Sequence, residues 1–88
     1  MKRSSLYASL DEKERQRLKD LGLEECKTAS ACYDIISKMR MRHLDQTKMM
    51  LTRIAQSSNL FSEEVQRGIV QNDLEAFAEA VSILLFEE

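Results

Sequence analysis

Proline and tryptophan are missing from the 88 residues, and glycine occurs only at positions 22 and 68. A chain so poor in turn-formers cannot supply the tight hairpins that sheets need, and its composition suits helices. Long apolar runs are also missing. The longest is Ile83-Leu84-Leu85-Phe86, far short of the roughly 18–20 residues a membrane-spanning helix requires. The N-terminal MKRSSLYASLDEKERQ begins with charge but holds no apolar stretch of signal-peptide length. These absences point to a cytoplasmic protein with reduced thiols.

Residues that carry chemistry are equally scarce. There is one histidine, His43, and two cysteines, Cys26 and Cys32. On one continuous helix the cysteines would lie about 9 Å apart along the axis and about 120° apart around it, beyond disulfide reach. They read as two small buried side chains. Met39 and His43 share a helix face, and thioether plus imidazole suits Cu(I), but no second histidine joins them and no metal is expected. The sequence holds no glycine-rich phosphate loop, paired-cysteine zinc spacing or nucleophile elbow. The expectation is a protein that is not an enzyme and takes no cofactor.

What is present is charge, unevenly placed. Residues 1–53 carry 12 Lys/Arg against 8 Asp/Glu, whereas residues 54–88 carry Arg67 alone against seven acids. The acidic half opposes contact with a phosphate backbone and could complement the basic half of another copy.

The pattern along the chain gives a single all-helical domain, residues 1–88, with residues 1–8 frayed. Ser9-Leu10-Asp11-Glu12 fits a capping box opening a helix over about Leu10–Leu21, which Gly22 stops and Leu23 flanks. From about Glu24 to Ser57 no breaker occurs. Cys32, Ile36, Met39, His43, Thr47, Met50 and Ile54 fall on one stripe of that segment. Ser62 caps a short helix over about Glu63–Gln71, and Asn72-Asp73-Leu74-Glu75 opens a last one over about Asp73–Phe86. The fold expected is a bundle of three to four helices with one long central helix, about residues 24–57. Such a helix would be roughly 50 Å long, against a body about 30 Å across. Either it breaks near His43–Gln46 or a second chain covers it. With no Pro or Gly to mark a break, dimerisation is the favoured expectation.

Met39 and Met50 lie on the apolar stripe and read as core. Met41 and Met49 lie off it and, with Ile35 and the interleaved Arg42, form an adaptable contact surface. Ile83 and Phe86 point off the stripe of the last helix. These six residues are the expected partner-binding set, for another protein or a second copy of the chain.

One stretch, LTRIAQSSNLFSEEVQRGI (Leu51–Ile69), resembles a helix-turn-helix motif. Ala55 stands at the crossing, Asn59 in the turn, and Leu60, Val65 and Ile69 at the pinning positions. The resemblance implies a DNA-binding regulator in which Ser62, Glu63, Gln66 and Arg67 face the major groove, helped by Lys48 and Arg53. Its presumed reading helix begins Glu63-Glu64 and carries one cation, so it brings little phosphate affinity. The favoured expectation is therefore a protein-binding adaptor, dedicated chaperone or inhibitor, with the DNA-binding regulator as the alternative.

Overall fold

The computed structural model describes residues 2–87. Among them run six helices: α1 (Ser5–Ser9), α2 (Glu12–Asp20), α3 (Ala29–Ser37), α4 (Met41–Ser57), α5 (Glu63–Val70) and α6 (Leu74–Leu85). Two short segments, β1 (Lys2–Arg3) and β2 (Phe86–Glu87), pair antiparallel with Arg3 opposite Phe86.

The caps explain most of the boundaries. Asp11 accepts a hydrogen bond from the Glu14 N–H at 2.8 Å and opens α2. Ser9, expected in that role, instead ends α1. Gly22 takes φ 76° and closes α2. The Leu23 N–H donates back to Leu18 O and the Gly22 N–H to Lys19 O, while Leu18 and Leu23 are both buried. This paired closure satisfies carbonyls the helix would otherwise leave open. Ser62 caps α5, accepting from the Val65 N–H. At the next turn Asn72 adopts φ 62°, and Asp73 accepts from the Glu75 N–H to open α6.

The expected long helix is two helices. Residues 24–27 are not helical, and Thr28 caps α3 by accepting from the Ala31 N–H. α3 ends at Ser37, Arg40 is extended, and α4 starts at Met41 with no side-chain cap. The break falls at Lys38–Arg40 rather than His43–Gln46. It lets α3 lie along α6 while α4 turns away to pack on α5 and α6. The resulting body measures 28 × 26 × 23 Å, so no rod projects from it. Its accessible surface, 5738 Å², is close to the roughly 5,300 Å² expected of a folded monomer of this mass. The expected helix over residues 24–57 is thus broken and enclosed within one body, and no second chain is required to cover it.

The central element is α6. It touches α1, α3, α4, α5 and β2, and Phe77, Ala80, Val81, Leu84 and Leu85 are fully enclosed. Thr47, on the α4 stripe, is also fully buried; its hydroxyl donates to His43 O at 2.8 Å, which satisfies it inside the core. His43, on the same stripe, is exposed.

The N-terminal segment is anchored rather than frayed, apart from Met1, which lies outside the described residues. The Ser4 N–H donates to Leu85 O at 2.8 Å, and Ser4 is buried. The Arg3 guanidinium lies 4.6 Å from the Tyr7 ring centre and 4.5 Å from that of Phe86, and it donates to Glu24 O at 2.8 Å. Its ion pair with Glu25 reaches a mostly exposed carboxylate and adds little. Arg3→Ala is expected to cost about 1–2 kcal/mol through the lost ring contacts and hydrogen bond. Thermal unfolding checks this; Glu25→Gln should shift the midpoint far less.

Candidate functional site: a groove along the open face of the central helix

α6 has one stripe that the fold does not cover. At 100° per residue, Glu75, Glu79, Ser82 and Ile83 share it, Phe86 of the extended β2 continues it, and each is exposed or only half-buried. Two walls rise beside it. One is the start of α1, with Ser4, Ser5 and Leu6; the other is Lys27–Ser30 with Tyr33, and Leu60 contributes from the α4–α5 turn. Together they bound an open groove of about 950 Å³, at the upper end of the sizes usual for ligand-binding clefts.

Local chemistry sets its character. Leu6, Tyr33, Leu60, Ala78, Ile83 and Phe86 give the groove its apolar lining. Glu75 and Glu79 are exposed on α6, and neither carboxylate has an ion-pair partner among the described residues. Lys27 is the one cation in the lining.

The wall carrying Lys27 is fixed by a feature the sequence reading excluded. Cys26 and Cys32 form a disulfide, with Cα atoms 5.4 Å apart. Cys26 lies before the helix starts, so the separation expected on a continuous helix does not apply, and the expectation of reduced thiols is corrected. The disulfide ties the loop before α3 to its first turn, and residues 27–30 between the two cysteines line the groove. On the α1 side, burial pushes the Tyr7 hydroxyl above its ordinary pKa, with the Glu24 carboxylate adding to the shift and Arg3 opposing it.

The expected partner-binding residues divide between two surfaces. Ile83 and Phe86 line the groove. Met41, Arg42 and Met49 stand together on the outer face of α4, with Met41 72% and Met49 64% exposed. Ile35 joins neither; it is half-buried against the core. The residues of the DNA-binding alternative divide as well. The Lys48 ammonium donates to Val70 O and Asn72 Oδ1, closing the C-terminus of α5. The Gln66 amide donates to Phe61 O, and the Ser62 hydroxyl is the α5 cap. Arg53 and Arg67 are exposed.

The sequence reading missed Leu6, Lys27, Thr28, Tyr33, Glu75 and Glu79 as parts of one site. Thr28, three residues before the Ala31 N–H it caps, was the available signal for where α3 begins. Among the described residues no group of three His, Cys, Asp or Glu side chains could hold a metal, and no helix is long and apolar enough to cross a membrane. Comparison with family models, curated proteins and solved structures finds no match to this chain.

Proposed function

We propose that the protein is a binding module that takes apolar side chains of a helical protein segment into the α6 groove, and that it acts by association rather than catalysis. The observation that carries this is the open stripe of α6: an apolar trough with free carboxylates along it, on a helix otherwise enclosed. Amphipathic helices are recognised in this way, by anchors at three- and four-residue steps seated in an apolar groove. The acids add a preference for flanking Lys or Arg, through on-rate and orientation more than through affinity.

Panning a library of helical peptides on the immobilised protein tests the reading. Enriched sequences are expected to pair apolar anchors with flanking basic residues. Ser82→Trp fills the groove from a half-buried helix position and is expected to weaken their binding about tenfold or more. Absence of enrichment, or peptides indifferent to Ser82→Trp, would sink it. The DNA-binding reading is weaker, because Lys48, Ser62 and Gln66 are engaged within the fold and Glu63 and Glu64 open α5.

A further inference from the structure

The groove and the outer face of α4 have opposite charge. Five large apolar residues stand exposed among the described residues. Tyr33 and Leu60 line the groove, Met41 and Met49 stand on α4, and only Val70 belongs to neither. On α4, Met41, Asp45, Met49, Thr52 and Gln56 fall within about 80° of one another, and Arg42 and Arg53 run along one edge of that stripe. Neither arginine has an ion-pair partner among the described residues, and neither do Glu75 and Glu79.

We propose that the α4 outer face of one copy docks in the α6 groove of another. This rests on the groove being a protein-binding site, and it names the occupant. The α4 stripe carries two methionine anchors with arginines along one edge, Met49 and Arg53 bordering a small hollow shared with Lys13, Glu14 and Arg17 of α2; the groove is an apolar trough with carboxylates along it. Methionine side chains bend to fill such a trough. Asp45, the one acid in the stripe, is matched by Lys27, the one cation in the groove lining. α4 contributes no residue to the groove lining, so the two surfaces are separate on each molecule. Copies therefore join groove to face, in a closed ring or an open row.

Sedimentation of the full chain from about 5 µM to about 500 µM tests this, a range suited to contacts of modest affinity. The wild type is expected to grow beyond the monomer with concentration and to shrink again at high salt. Met49→Glu spoils the face and Glu79→Arg spoils the groove rim. Both positions are exposed, and unchanged circular dichroism checks that each variant folds. Each is expected to weaken self-association about tenfold or more. Mixed together, they are expected to form one-to-one pairs, because one variant keeps a groove and the other a face. A wild type that stays monomeric throughout overturns the proposal, and so does a mixture that fails to pair. The peptide panning separates the two failures. Enriched peptides with a monomeric wild type leave the groove as a site for another protein, while loss of both results removes the groove as well.

Discussion

Gly68→Val is expected to destabilise the protein by about 3 kcal/mol or more, the largest effect of any single surface-sparing change at the α5–α6 crossing. A Cβ at position 68 would overlap the Cβ of Ala76, while Asp73 Cβ, 3.6 Å away, would stand at ordinary contact distance. The Ala76 Cβ is not the tip of a flexible side chain and cannot swing aside. Ala76 is rooted in the central helix, and Asp73 caps it. The same turn holds the Asp73 N–H on Gly68 O at 2.9 Å and places Asn72 at positive φ, so the two helices cannot part without losing their joint. Overpacking of this kind typically costs about 1–3 kcal/mol for added methylenes, and sometimes more. Alanine at position 68 would recover about 1 kcal/mol of helix propensity, which offsets only part of the overlap. Gly68→Ala is thus expected to lose about 1–2 kcal/mol. Urea titration of Gly68→Ala, Ala76→Gly and the double variant checks the cause: a coupling of about 1 kcal/mol or more places the loss at this contact, whereas simple additivity would place it elsewhere.

Reduction of the Cys26–Cys32 bond is expected to cost about 2 kcal/mol, from the chain entropy returned to the unfolded state by a loop of sequence separation 6. For a chain of this size that lowers the thermal midpoint by about 10–15 °C. Unfolding with and without a dithiol reductant measures it, and in Cys26→Ala/Cys32→Ala the reductant should have no effect. The consequence reaches the groove, because residues 27–30 form one wall of it. Amide exchange in that segment is expected to quicken on reduction, while α5 and α6 stay protected. Unchanged exchange there would show that the wall is held by its other contacts alone.

Some boundaries could be read directly, because a local chemical reason fixed them. Gly22 before Leu23, Ser62 before an apolar-periodic run, and Asn72-Asp73 between two helices each carry their own hydrogen-bonding logic. The break at Lys38–Arg40 carries none. The apolar phase passes across it almost undisturbed, since Ile36 and Thr47 are eleven positions apart and so about 20° apart on an ideal helix. The mismatch between helix length and body size was visible, but nothing local told which way it would be resolved. Tertiary packing resolved it, by giving α3 and α4 different neighbours. The N-terminus was opaque for a related reason. Arg3 and Ser4 are ordered by Phe86, Leu85 and Glu24, partners that sequence separation hides. The groove was half legible: Ile83 and Phe86 stood out as apolar residues off the main stripe. Its walls come from three distant segments and could not be assembled without knowing that Cys26 lies outside a helix.

Helices α1 and α3 find their principal helical partner in α6, which lies far from both in the chain. Contacts between such distant segments repay their cost only after a long loop has closed. The core is therefore expected to close cooperatively as α6 docks, rather than to grow outward from the N-terminal helices one at a time.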